Sequence, residues 1–135
     1  MAIQTEAKFL KMLTVEDSSI VAIRLQSMFS ELDKVTFIGN APDIATAKLF
    51  VNNIRPDVVI LDIHLATDAP QSSGITLLTW LRAHFPDIII IMLTNLVEPQ
   101  YRQICSESGA HHFLDKSKEF DKVPKIIAGI RNIIN

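Results

Sequence analysis

The sequence predicts an α/β domain, a doubly wound sheet of five parallel strands covered on both faces by five helices. Three observations predict it. Short β-branched runs, of which Val58-Val59-Ile60-Leu61 and Ile88 to Leu93 are the clearest, lack the alternation of a half-solvated strand and read as strands buried on both faces. Between them lie segments whose apolar residues recur every three or four positions, the period of an amphipathic helix. The two patterns alternate along the chain, which is the sequence form of a parallel sheet with right-handed crossovers.

The first eight residues, MAIQTEAK, have no period and are expected to be a flexible lead-in, with the domain running from Phe9 to Asn135. FLKMLTV, 9–15, is the first strand. Ser18 or Ser19 can cap the helix that follows, whose Val21, Leu25, Phe29 and Leu32 make one apolar face. KVTFIGNA is the second strand. Asp43 to about Asn53 is the second helix, facing inward with Ile44, Ala47 and Val51, and Ile54-Arg55-Pro56 closes it ahead of the third strand. After Asp62 comes a long polar loop, then a helix over 73–84 with Leu77, Leu78 and Leu81 turned in. PDIIIIMLT is the fourth strand, and EPQYRQICSES a less apolar fourth helix ended by Gly109. HHFLD is the fifth strand. Val123 to Ile134 is the last helix, with Ile126, Ile127, Ile130, Ile133 and Ile134 inward, Pro124 in its first turn and Asp121 as its expected cap.

The chain has 135 residues, one domain's worth, enough to bury a core without disulfides. The single cysteine, Cys105, in a sequence with nothing resembling a secretory signal, points to a reducing cytoplasm and a free thiol. With no catalytic partner evident, it reads as a buried helical thiol rather than a nucleophile. The longest apolar run is far too short to cross a bilayer. A net charge of −2 without a basic stripe offers no footprint for direct nucleic-acid binding.

For an open sheet of this size the flavodoxin-like order 2-1-3-4-5 is a common choice, and its ligand crevice lies at the carboxyl ends of the first and third strands. Strand one ends in Glu16-Asp17, strand three in Asp62, strand four in Thr94-Asn95 and strand five in Asp115-Lys116. Glu16, Asp17 and Asp62 brought onto one rim repel one another unless a cation compensates. Magnesium is the hard, oxygen-seeking ion such a site selects, and Lys116 adds a fixed positive charge suited to a phosphoryl oxygen.

The pieces VED, VVILDIHL, IIIIMLTN and HHFLDKS, in that order and at strand ends, resemble the response-regulator receiver domain of two-component signalling over nearly the whole chain, Phe9 to Ile134. The resemblance implies that Asp62 is the phosphoacceptor, that Asp17 binds magnesium directly and Glu16 mainly through water, and that the backbone carbonyl of His64 completes the protein's share of the metal shell. It further implies that Thr94 hydrogen-bonds the phosphoryl group, that Lys116 pairs with it, and that Phe113 is the aromatic switch residue. The implied partners are a sensor histidine kinase or histidine phosphotransfer domain as donor, and a downstream protein that reads the face of helix 4, strand 5 and helix 5. Such a chain is not an enzyme acting on outside substrates; it catalyses only its own phosphoryl uptake and loss.

The chemistry suits the residue types. A carboxylate can attack phosphorus in line if the transferring oxygens are neutralised, and the product is an acyl phosphate. Its charge would draw Thr94 inward, leaving space for Phe113 and reshaping the fourth-helix surface.

Three features depart from the family's common pattern. The loop from Asp62 to Gly74 is longer than usual, with Ala66 where proline is frequent, and its stretch ATDAPQSS is expected to be exposed and mobile. Ser117 follows Lys116 where many receivers have proline, often after a cis bond; a cis bond before a non-proline residue costs about 2.5–4 kcal/mol, which weighs against that geometry. Asn95 stands where a smaller residue is common, a position from which it can shield the acyl phosphate.

Plainer readings stand beside these. An acidic pair after a strand is often only a helix-start signal. His111 and His112 are adjacent on a strand and point to opposite faces, which disfavours a two-histidine metal site. His64 reads as a solvated loop residue rather than a phosphodonor, Trp80 as packing between helix and sheet, and Tyr101 as either partner contact or surface. Two other classes stay open: a scaffold that works without phosphorylation, against which the retention of every site residue argues, and a phosphohydrolase, which would want an acid at position 64. The chain is either a stand-alone receiver or the receiver of a larger transcription regulator.

Overall fold

The computed structural model describes residues 9–65 and 73–134. Its elements in chain order are β1 (Leu10–Val15), α1 (Ser19–Ser30), β2 (Val35–Ala41), α2 (Ile44–Asn53), β3 (Val58–Leu61), α3 (Ser73–His84), β4 (Ile89–Thr94), α4 (Pro99–Glu107), β5 (His112–Asp115) and α5 (Val123–Ile134), the last preceded by a 3-10 turn over Phe120–Lys122. The strands form one parallel sheet in the order β2-β1-β3-β4-β5, the expected flavodoxin-like order.

Because successive strand residues point to opposite faces, each strand feeds two cores. Leu13, Val15, Val59, Leu61, Ile90 and Met92 join Ala47 and Val51 of α2, Leu77, Leu78 and Leu81 of α3 and Cys105 of α4. On the other face Leu10, Met12, Ile60, Ile91, Leu93 and Leu114 meet Leu25 and Phe29 of α1 and Val123, Ile127 and Ile130 of α5. All four residues of β3 are buried, which is why that run carries no polar residue at all.

The helix starts follow their caps. Ser18 is the N-cap of α1, its hydroxyl accepting from the Val21 N–H. Asp43 caps α2 from just outside the helix, accepting from the Thr46 N–H at 2.8 Å, and that bond holds its carboxyl below the ordinary value. On α4 only Cys105 is buried, and Gly109 follows the helix with φ +102°, a backbone shape that favours glycine.

Several expected boundaries move. Phe9 lies outside β1 and is 54% exposed. Lys34 precedes β2, and Pro86 to Ile88 precede β4. Asp121 does not cap α5: it sits inside the 3-10 turn, which runs straight into the helix and leaves no extended residue to act as a cap. His111 precedes β5 for a specific reason. Its backbone N–H donates to the Ile90 carbonyl at 2.9 Å while its ring Nδ1 accepts from the Ile90 N–H at 3.0 Å, so an imidazole supplies the acceptor a backbone carbonyl would have given. The lead-in, residues 66–72 of the long loop and the side chains of Ile133 and Ile134 lie outside the described residues.

One irregularity shapes the site. The β1–β2 register shifts between Met12 and Leu13, so that Phe37 faces Met12 but Gly39 faces Leu13, a bulge at Ile38. Gly39 has φ +150°, and a Cβ there would stand 2.6 Å from the Phe50 ring. The bulge sets Asn40 opposite Thr14 at the sheet's carboxyl edge.

Candidate functional site

The strand ends meet as the strand order requires. Asp62 leaves β3 with its N–H bonded to the Val15 carbonyl, and Glu16 leaves β1 with its N–H bonded to the Ala41 carbonyl. Lys116 leaves β5 with its N–H bonded to the Thr94 carbonyl. These main-chain bonds aim three strand ends into an open cavity of about 340 Å3 lined by Glu16, Asp17, Asp62, His64, Thr94 and Lys116, among others.

Within it the Lys116 ammonium donates to Asp62 Oδ2 at 2.6 Å and to Glu16 Oε1 at 2.7 Å. The other oxygen of Glu16 accepts from the Ser18 N–H at 2.9 Å, and Asp62 Oδ1 accepts from the His64 N–H at 3.3 Å. Burial raises the Glu16 pKa above the ordinary carboxylate value, and the bonds from Lys116 and Ser18 only partly oppose it. For Lys116 burial pulls downward, but the hydrogen bonds and attraction of Asp62 and Glu16 outweigh it and hold the ammonium above its usual value. The lysine is thereby a permanent charge at neutral pH.

One ligand oxygen each from Glu16, Asp17 and Asp62 lie within 4.8 Å of one another. Three carboxylates at that spacing fit a hard divalent cation. Both Glu16 oxygens already have partners, the Lys116 ammonium and the Ser18 N–H.

Thr94 is fully buried at the end of β4. Its Oγ1 accepts from the Leu96 N–H at 3.2 Å, while no acceptor for its own proton is found among the described residues. Strand alternation puts Thr94 on the face of Met92, and Met92 is paired with Phe113 across β4–β5. Thr94 and Phe113 are therefore diagonal neighbours on one face. Phe113 is half-buried, with the Arg102 guanidinium 4.7 Å from its ring centre.

All seven expected site residues thus belong to one rim and its flank. The plainer readings also find their places. His64 is exposed, and Cys105 is fully buried, its thiol pushed up to about 11 by burial. Trp80 packs against the α2–α4 core and stacks on His84 with ring centres 5.0 Å apart. Tyr101 also packs on that core rather than standing clear of it. His111 is committed to Ile90, not to a metal pair with His112.

Sequence reasoning missed four supports. Asn40 donates to the Glu16 carbonyl at 2.9 Å and accepts from Thr14 Oγ1 at 2.7 Å, tying the second strand to the acidic pair. Its signal was a polar residue after a glycine at the strand's carboxyl end. Gly74 donates to the Ile63 carbonyl at 2.8 Å, and a Cβ there would strike the Asp62 carbonyl oxygen and lie 2.7 Å from the Ile63 Cα, so the first turn of α3 rests on the backbone of Asp62 and Ile63. Glu119 accepts from the Asp115 N–H at 2.9 Å and lies 3.9 Å from Arg102. Ser117 donates to Asn95 Oδ1 at 3.0 Å, and no cis peptide bond occurs among the described residues, Lys116–Ser117 included.

Comparisons with known proteins point to one family. The response regulator receiver domain model matches residues 12–128. The chain is 26% identical over 112 residues to the transcriptional regulatory protein CitT of Bacillus subtilis, covering 83% of this chain and 48% of that one. It is 34% identical over 89 residues to protein-glutamate methylesterase/protein-glutamine glutaminase 2 of Shewanella oneidensis, covering 66% of this chain and 24% of that one. The chain therefore spans about half or less of the length of these relatives. Among solved structures, the isolated receiver of RcsB from Salmonella enterica serovar Typhimurium with the phosphomimetic BeF3− superposes with a TM-score of 0.83 at 20% identity, covering 93% and 90% of the two chains. The response regulator domain of Thermotoga maritima CheB gives 0.75 at 23%, covering 93% and 95%. No helix of the described residues is long and apolar enough to cross a membrane. With its strand order, its acidic rim and a family match over most of its length, the chain belongs to the response regulator receiver domain family.

Proposed function

We propose that the chain is a phosphorylation-controlled receiver in which Asp62 accepts a phosphoryl group from a sensor histidine kinase or histidine phosphotransfer domain in the cytoplasm. The observation that carries this reading is the convergence of Asp62, Lys116, Thr94 and the Glu16–Asp17 pair on one cavity. Asp62 Oδ attacks phosphorus, the bond from phosphorus to the donor's nitrogen or oxygen breaks, and the leaving group departs opposite the attacking oxygen. Asp17, Asp62 and the His64 carbonyl, with Glu16 through water, would hold a magnesium ion, which would supply charge neutralisation on the phosphoryl oxygens.

Lys116 gives a second, fixed positive charge. It is bound to Asp62 before reaction and needs only to follow the charge from carboxylate to phosphoryl oxygen. Thr94 offers its proton to the same oxygens. As it turns toward Asp62 it releases the Leu96 N–H and vacates space on the face it shares with Phe113. The surface of α4, β5 and α5 is the expected output face, and it meets a protein partner rather than nucleic acid. On this reading the chain turns over no outside substrate.

The test is intact mass after incubation with acetyl phosphate or phosphoramidate and magnesium. One added phosphoryl group is expected, removable by hydroxylamine and absent in Asp62→Asn. Uptake by Asp62→Asn at the wild-type rate would place the acceptor elsewhere. A second reading, a receiver that governs an output carried on a longer chain, is favoured by the relatives' greater length, since this chain covers only 48% and 24% of them.

A further inference from the structure

Two cavities lie side by side at the rim. The acidic one, about 340 Å3, holds Asp62; its neighbour, about 380 Å3, is lined by Arg24, Ser117, Lys118 and Phe120, among others. Val21, Asn95 and Lys116 line both and so form the partition between them. Asn95 is not held there by its own loop. Its Oδ1 accepts from the hydroxyl of Ser117, on the loop after β5, at 3.0 Å. We propose that the Asn95–Ser117 hydrogen bond is a clasp that fixes the two rim loops against each other and sets the lifetime of the acyl phosphate on Asp62.

The two loops carry the groups that must touch the phosphoryl oxygens. Asn95 follows Thr94 directly, and Ser117 follows Lys116 directly. A main-chain bond from the Lys116 N–H to the Thr94 carbonyl already joins the strands, at 2.9 Å, and the clasp adds a side-chain bond one residue further out. On the Ser117 side the loop is stiffened again: Asp115 Oδ1 accepts from the N–H groups of Ser117 at 2.8 Å and Lys118 at 3.2 Å.

Hydrolysis needs a water oxygen to bond to phosphorus from the side away from Asp62. The phosphorus–oxygen bond to Asp62 then breaks, inorganic phosphate leaves, the carboxylate is regenerated, and the water's proton passes to the departing phosphate. A side chain held in the partition keeps the second, open cavity from feeding that approach. Asn95 and Ser117 are positioning residues; neither supplies a reacting atom.

The inference rests on Asp62 as phosphoacceptor, and the experiment separates the two. Wild type, Asn95→Ala, Ser117→Ala, the double variant and Ser117→Thr are phosphorylated with acetyl phosphate and magnesium, the donor is removed, and phosphoryl loss is followed by intact mass. Each alanine variant should lose phosphate about two- to tenfold faster, the range one ordinary hydrogen bond corresponds to. The double variant should match a single one, because the two side chains act as a unit. Ser117→Thr keeps the hydroxyl and should keep the wild-type rate. Alanine rates equal to or below wild type, or a double variant showing the product of the two effects, would overturn the clasp. If wild type takes up no phosphoryl group, the acceptor assignment fails instead, and the clasp is read from amide hydrogen exchange in the unmodified protein. Ser117→Ala should then speed exchange at the Leu96 N–H, on the opposite loop, while Ser117→Thr does not; unchanged exchange at Leu96 rejects the clasp.

Discussion

The Lys116 ammonium lies 2.6 Å from Asp62 Oδ2, with side-chain exposures of only 12% and 8%. A lysine so placed is the resident counter-charge of the site, holding Asp62 and Glu16 in one place. Lys116→Met should destabilise the protein by about 2 kcal/mol in chelator, less than the ~3–5 kcal/mol typical of a broken buried pair because the site opens on a cavity. Magnesium should recover most of that loss by replacing the missing charge. Urea unfolding with and without magnesium measures both; equal losses in the two conditions would show that the lysine matters through packing alone.

Asp17→Ala should weaken magnesium binding more than Glu16→Ala. Both oxygens of Glu16 are already occupied, by Lys116 and by the Ser18 N–H, so its carboxylate is less able to turn to the metal. A magnesium titration by calorimetry or by chemical shift compares the two variants, and equal losses would contradict this division.

Gly74→Ala should impair both folding and phosphoryl uptake. The added methyl would meet backbone atoms of Asp62 and Ile63, which cannot swing aside as a side chain can. The expected cost is about 1–3 kcal/mol, typical of an overpacked site. Phosphoryl uptake should slow as well, since relief of the clash moves the nucleophile. Gly129→Ala is the control, because nothing lies within 4 Å of a Cβ there. If Gly74→Ala behaves like that control, the close approach has been misread.

His111 gives a pH dependence remote from the site. Burial, with the nearby charges of Arg82 and His112, lowers its pKa below the ordinary 6.5. In the unfolded chain it protonates first as pH falls, so the stability it contributes is present above about pH 6.5 and is lost on going down through that value toward the lower folded one. Protonation also removes the acceptor for the Ile90 N–H. His111→Gln should flatten the stability profile between pH 7 and 5, measured by thermal unfolding. A variant profile parallel to wild type would assign the dependence to other groups.

Much of this molecule is legible in its sequence because its three central strands, β1, β3 and β4, are buried on both faces. A run such as Val58 to Leu61 admits no solvent face, and the residue that ends it, Asp62, is marked by contrast. Thr94 is legible for the same reason at the end of β4, whereas β5 buries only Leu114 and Lys116 follows the polar Asp115, so Lys116 is legible only through the motif it belongs to. What the sequence does not show is contact made at a distance along the chain. Asn40 reaches Glu16 only because a bulge at Ile38 turns the end of β2, and no periodicity encodes a bulge. Gly74 looks like an ordinary loop glycine until α3 is laid against the backbone of Ile63. Asp121 does not cap α5 because a helix can begin from a 3-10 turn without an extended capping residue.

The bond from the Gly74 N–H back to the Ile63 carbonyl closes the chain on itself just after the nucleophile. Residues between those two points begin and end at one spot, so adding or removing some of them need not displace Asp62 or α3. Loop length enters the free energy only weakly, about 0.6 kcal/mol per doubling. A change of length in that stretch should therefore be absorbed between its two anchored ends and leave the rim beside it in place.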